Sequence, residues 1–73
     1  MPYNAEKNLT NHAPADEDVI DRFETIRETA KVLASRIDAR CPESREKSLA
    51  FTNLEQTVMW AVASIARNQE NLP

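Results

Sequence analysis

The feature that most constrains the fold is a nearly uncharged stretch between Ser48 and Ala66, in which Glu55 is the only charged residue. The chain contains no glycine and only 5% aromatic residues, which disfavours tight-turned β-structures, so this stretch is predicted to be helical. A helix of about five turns with a single charge does not face water along one whole side. We therefore expect this helix to be covered on both sides.

Two predicted helices account for most of the chain. Apolar residues at spacings of three and four indicate a first amphipathic helix over about residues 14–40. Pro42 ends it, because the residue before a proline is disfavoured in the α region, and Ser44 is suited to cap a second helix over about residues 44–67. The turn at 41–43 is short enough to force an antiparallel return. The apolar stripe of the first helix consists of Val19, Phe23, Ile26, Ala30, Leu33 and Ile37.

The predicted fold class is all-α, an antiparallel two-helix hairpin. Residues 1–13 lack periodicity and are expected to form a flexible N-terminal arm, residues 14–68 the helical hairpin, and residues 69–73 a C-terminal tail. This organisation leaves one domain, at a size where a single hydrophobic core is only marginally sufficient.

The second helix has more apolar surface than a hairpin can bury. One sector can close on the stripe of the first helix, while Leu49, Met59 and Trp60 fall on the opposite side with Ala63. One cysteine and one histidine exclude an internal disulfide and a four-ligand Cys/His metal site. We therefore expect a compact helical homo-oligomer with the second helix inside. The sector that should meet the first helix comprises Ala50, Phe51, Leu54, Val58, Ala61, Val62 and Ile65.

Charge and motif content exclude several classes of function. A net charge of −3 provides no field for binding DNA or RNA polymers. No stretch resembles a spanning helix or a signal peptide, so we expect a soluble cytoplasmic protein that does not contact a membrane. No catalytic pair, phosphate-binding glycine loop or metal-ligand cluster is found by spacing, so an enzyme, a cofactor and a metal are not expected.

The strongest candidates for ligand contact are Arg27 and Lys31, an i,i+4 pair beside one edge of the first apolar stripe. Such a pair could hold a phosphate. The alternative is that Arg27 pairs with Glu24 and Lys31 with Glu28, forming a solvated face worth a few tenths of a kcal/mol per pair.

Three other residues have simple structural explanations. His12, ahead of Pro14 at the predicted helix start, fits a cap or packing position as well as an anion contact. Arg67 fits the negative end of the second helix dipole. Cys41 is expected to be a small buried residue in the turn.

Several segments together resemble one known family. They are residues 41–50, Asn53 to Glu55, Met59 to Ala61 and Ile65 to Arg67, with matching positions in the first helix and a His-x-Pro lead-in at residues 12–14. Over about residues 11–68 the chain is similar to the phage anti-CBASS cyclic-nucleotide sponges, whose helical hairpin is shared with phage anti-Thoeris sponges.

The resemblance implies a homohexamer that binds cyclic di- and trinucleotides and sequesters them intact in the cytoplasm of the infected bacterium, so that CBASS effectors are not activated. The alternative from a different class is a phage structural or assembly oligomer with a protein partner. A hydrolase of the signal is disfavoured by the lack of metal ligands and of a nucleophile.

The resemblance also implies the ligand-binding residues. Lys31 matches a lysine of the first helix that contacts the ligand, and Arg27 and Arg67 match basic positions at pocket edges. His12 and Pro14 match the lead-in, where Asn11 stands in place of an aromatic residue that would stack on a base. A second departure is Val62, at a position where the family often has asparagine.

Overall fold

The computed structural model describes residues 15–73, which form two helices packed as a hairpin. Helix α1 spans Glu17–Arg40 and helix α2 spans Arg45–Arg67. A single 3-10 turn, Gln69–Asn71, follows α2. The predicted all-helical hairpin is confirmed.

Helix α1 begins at Glu17, later than the expected start near Pro14, which lies outside the described residues. The reason is Asp16, whose backbone is extended and whose Oδ1 accepts a hydrogen bond from the Val19 N–H at 2.9 Å. This side chain satisfies a donor that has no partner within the helix, so Asp16 is the N-cap. Glu17 and Asp18 then place negative charge against the positive end of the helix dipole.

The turn between the helices follows from two residues. Cys41 is extended, with φ −103° and ψ 133°, as expected for a residue that precedes a proline. Ser44 is the N-cap of α2, and its Oγ accepts a hydrogen bond from the Lys47 N–H at 3.1 Å. The expectation that Cys41 is buried is wrong: the side chain is exposed, because within residues 15–73 no further element covers this end of the hairpin.

Lys47 connects the two helices at the turn and is only 6% exposed. Its Nζ lies 2.6 Å from Glu43 Oε1 and 3.2 Å from Asp38 Oδ1, and it donates to the Asp38 backbone oxygen at 3.1 Å. That carbonyl belongs to the last turn of α1, where backbone acceptors lack helical partners. The hydrogen bond to Glu43, with that to Asp38, raises the pKa of Lys47 against the opposing effect of burial.

The hairpin interface follows the predicted residues except at Leu33 of α1, which is exposed, and it closes only partly. All seven residues of the predicted α2 sector are half-buried. On α1, Val19 is 2% exposed and is the only fully buried apolar residue of the described part of the chain, whereas Leu33 is 48% exposed. Two helices side by side leave most of their apolar side chains partly exposed, so fuller burial of residues such as Leu33 requires a further layer.

The far side of α2 is open in the single chain. Trp60 is 60% exposed, Met59 53% and Leu49 43%. The radius of gyration is 15.2 Å, against about 11 Å for a compact domain of this length. Exposure of this apolar face supports self-association, which stays a prediction. Neither helix has a stretch long and apolar enough to cross a lipid bilayer.

The first prediction concerns Lys47. Replacement with methionine keeps an apolar stem but removes the ammonium that holds Glu43 and Asp38, so the melting temperature should fall by several degrees at pH 7. Because the folded state raises the pKa of Lys47, this stabilisation is fully present below the ordinary value of 10.5 and is lost as pH rises through the raised value. The difference in melting temperature between wild type and Lys47→Met, measured by circular dichroism, should therefore shrink once the pH exceeds the raised pKa of Lys47.

The matched control is Lys31→Met, because the ion pair of Lys31 with Glu28 is exposed on both sides. This substitution should change the free energy of unfolding by no more than about 0.5 kcal/mol. If Lys47→Met melts at the wild-type temperature, the ammonium does not stabilise the turn.

The second prediction concerns the open face of α2. Trp60→Glu should reduce the assembly to the 8.3 kDa single chain at low micromolar concentration, as measured by light scattering. Burial of a side chain of this kind contributes about 1.5–3 kcal/mol at each contact. The control, Val32→Glu, places the same charge on an exposed apolar position of α1 and should leave the assembly intact. A wild-type protein that is monomeric at high micromolar concentration would contradict the expectation.

Candidate functional site

A groove of about 380 Å³ runs between the two helices. We call it the interhelical groove. Two alanines, Ala30 and Ala34, line it on α1, and Leu54 and Val58 line it on α2. The small alanine side chains leave a space that larger residues would fill. The remaining lining residues carry charge, and they are Arg27, Lys31 and Glu55.

Arg27 is held in the groove by an aromatic ring. Its guanidinium carbon lies 5.5 Å from the centroid of the Phe23 ring, one helical turn earlier. The expected ion pair of Arg27 with Glu24 is absent among residues 15–73. Stacking on a ring leaves the in-plane N–H donors of the guanidinium available to an anion.

Lys31 forms the other expected pair. Its Nζ lies 3.1 Å from Glu28 Oε1, and the two side chains are 72% and 69% exposed. An exposed pair of this kind contributes about 0–1 kcal/mol. A non-bridging phosphate oxygen or another anion can therefore readily replace Glu28 as the partner of Lys31. The ammonium is therefore available at the edge of the groove.

Glu55 is the residue of the groove that the sequence prediction did not assign to the site. It is the only charge on α2 between Ser48 and Ala66, and it borders the groove beside Leu54. Its carboxylate forms no ion pair within the described part of the chain. The sequence did contain a signal that could have identified Glu55, namely that it is the single charge on an otherwise uncharged stretch of helix. Such a charge is expected to have a specific surrounding.

A second depression, of about 490 Å³, lies on the outer face of α1. Its basic lining residues are Lys31, Arg36 and Arg40, and Lys31 thus borders both this outer depression and the interhelical groove. Arg22, which the helical wheel places near Arg36 and Arg40, is engaged elsewhere. It pairs with Asp18 at 2.9 Å and donates to the backbone oxygen of Pro73.

The structure brings together two of the predicted ligand-binding residues, Arg27 and Lys31. Arg67 is half-buried in the last turn of α2, about 18 Å along the helix axis from Glu55, and does not line the groove. The predictions for Asn11, His12 and Pro14 lie outside the described residues. No group of side chains in residues 15–73 has the arrangement of a metal site.

The family-model comparison matches residues 1–66 to the Acb2/Tad1 hairpin domain. The match covers most of the chain, so the protein belongs to the Acb2/Tad1 hairpin family, and the resemblance to the anti-CBASS and anti-Thoeris sponges is confirmed. Membership implies a phage anti-defence protein of the sponge type, from a family of sequestering proteins that are not known as enzymes, with cyclic nucleotides as ligands. Comparisons with curated proteins and with solved structures found no match.

Proposed function

We propose that this protein binds cyclic oligonucleotide second messengers and sequesters them without hydrolysis. Cyclic dinucleotides are the main ligand class, and cyclic trinucleotides are the second. By removing the signal in the cytoplasm of the infected bacterium, the protein keeps CBASS effectors inactive. The observation that carries the proposal is the interhelical groove, which combines two cations with apolar walls in a hairpin of the sponge family.

The groove suits a nucleotide because its two parts match the two parts of that ligand. Arg27 and Lys31 provide charge-assisted donors for a phosphodiester. Leu54, Val58 and the two alanines provide an apolar surface against which a base can lie. The net charge of −3 does not oppose this, since a small dianion needs only local cations.

The small volume of the groove supports a pocket to which one chain contributes only a part. At about 380 Å³ it is at the lower end of the range of about 300–1,000 Å³ for small-molecule sites. A cyclic dinucleotide with identical bases has two equivalent halves. Two chains related by a two-fold axis would present two grooves to those halves, as an isologous interface requires. We propose a pocket between subunits of a homohexamer, with one cyclic dinucleotide for each pair of chains.

The remaining family positions complete this proposal. Asn11, His12 and Pro14 of a neighbouring chain close over the ligand in the interhelical groove. Arg67 lies too far from that groove to share it within one chain, and we assign it to the edge of a separate pocket between subunits that takes cyclic trinucleotides.

The alternative function, a phage structural or assembly oligomer, is supported by one observation. The apolar face of α2, with Met59 and Trp60 exposed, fits a protein partner as well as a second copy of this chain. This alternative predicts that no cyclic nucleotide binds and that a partner protein is recovered from infected cells.

The third prediction tests sequestration directly. Isothermal titration of the purified protein with cyclic di- and trinucleotides should show sub-micromolar binding of at least one cyclic dinucleotide. After heat release, chromatography should recover the ligand intact. A cleaved ligand would indicate a hydrolase, and no binding to any member of the panel would favour the assembly protein.

The fourth prediction concerns Lys31. Lys31→Glu should weaken cyclic dinucleotide binding by at least tenfold, because a hydrogen bond to a charged group contributes about 1.5–3 kcal/mol and the variant adds repulsion. The oligomer mass should not change, since the expected subunit contact is the apolar face of α2 and Lys31 lies on α1. The matched control is Arg36→Glu, which makes the same charge change in the outer depression. Equal losses in both variants would place the phosphate outside the interhelical groove.

A further inference from the structure

Glu55 lies in the same groove as the two cations that the proposed function assigns to phosphate. We propose that Glu55 reads the base of the bound cyclic dinucleotide and selects guanine. This inference rests on the proposed function and adds to it the identity of the preferred base. It is carried by the position of the carboxylate, by its lack of a neutralising partner and by the chemistry of the base edge.

The position of Glu55 is the first argument. The side chains next to it in the groove are Leu54 and Val58, both apolar. Every other residue from position 49 to position 65 is uncharged. The one carboxylate of this stretch is exposed at the edge of the groove, one helical turn before Met59 of the open face. A ligand that covers this edge would remove water from the carboxylate, so a ligand that donates hydrogen bonds to it would be favoured.

The two cations of the groove contact residues other than Glu55. Arg27 stacks over Phe23, and Lys31 pairs with Glu28. No ion pair joins Glu55 to either cation or to any other residue between positions 15 and 73. The groove therefore has two donors and one separate acceptor, and a ligand must present both an anion and a hydrogen-bond donor to satisfy all three.

Guanine differs from the other bases in the hydrogen-bond donors on its edge. Guanine presents N1–H and an N2 amino hydrogen side by side, which match the two oxygens of a carboxylate in a bidentate, charge-assisted contact. Adenine presents its N6 amino group beside the N1 acceptor, and that acceptor repels a carboxylate oxygen. Uracil has one N3–H between two carbonyl acceptors. Among these bases, guanine alone offers two adjacent donors to Glu55.

The experiment compares two cyclic dinucleotides on three proteins. Cyclic di-GMP and cyclic di-AMP are titrated calorimetrically into wild type, Glu55→Gln and Glu24→Gln, the last being an exposed carboxylate of α1 that does not line the groove. Wild type and Glu24→Gln should bind cyclic di-GMP at least tenfold more tightly than cyclic di-AMP. In Glu55→Gln, the affinity for cyclic di-GMP should fall by about 10- to 100-fold, while that for cyclic di-AMP changes less than about threefold.

The possible outcomes separate the two levels of the argument. If wild type binds no member of the cyclic di- and trinucleotide panel, the proposed function fails and the role of Glu55 fails with it; if it binds other members but not cyclic di-GMP, the role of Glu55 alone fails. If wild type binds but Glu55→Gln changes both affinities equally, or tightens both by removing repulsion from phosphate, Glu55 does not read the base. Light scattering on each variant checks the assembly, and a dissociated Glu55→Gln would assign Glu55 to subunit contacts. Glu55→Asp, which keeps the carboxylate, should retain the preference for guanine; loss of that preference would overturn the proposal.

Discussion

Helix α2 has apolar side chains on two faces, and the hairpin covers only one of them. The face towards α1 is half-buried along its length, yet Val19 is the only fully buried apolar residue of residues 15–73. The opposite face exposes Met59 and Trp60. Ordering a residue costs about 1.5 kcal/mol, and burial returns about 25 cal/mol per Å², so a pair of helices with so little enclosed surface is expected to gain stability by association. The proposed placement of ligand pockets between chains follows from this need.

Local capping and turn interactions define the ends of the helices and the turn between them. Asp16 and Ser44 cap the two helices, and Lys47 reaches back from the first turn of α2 to the last turn of α1. The charged side chains near the turn therefore stabilise the hairpin. The cations Arg27 and Lys31 lie farther along α1, beside alanines that leave the interhelical groove open. The proposed binding of a phosphodiester in the groove would therefore leave the turn intact.

The break between the helices and the half-buried sector of α2 were predictable because they depend on neighbours within one turn. The start of α1 at Glu17 was not, since the sequence offered Pro14 as well as Asp16. Pro42 and Ser44 determine the break, and the period of 3.6 residues identifies the α2 residues that meet α1. Long side chains were less predictable, since their rotamers depend on tertiary surroundings: Arg27 stacks on Phe23 instead of pairing with Glu24. The exposure of Cys41 and the location of Glu55 in the groove also required the arrangement of both helices. Arg27 and Lys31 were placed together by their spacing, whereas their role in binding came from the family resemblance.

The central claim is that paired chains hold an intact cyclic dinucleotide. Native mass spectrometry of the protein mixed with cyclic di-GMP tests it most directly, because one spectrum reports the number of chains, the number of ligands and the mass of each ligand. The account predicts an oligomer with one ligand of unaltered mass for each pair of chains. A single chain without ligand, or a ligand heavier by the mass of one water molecule, would contradict it.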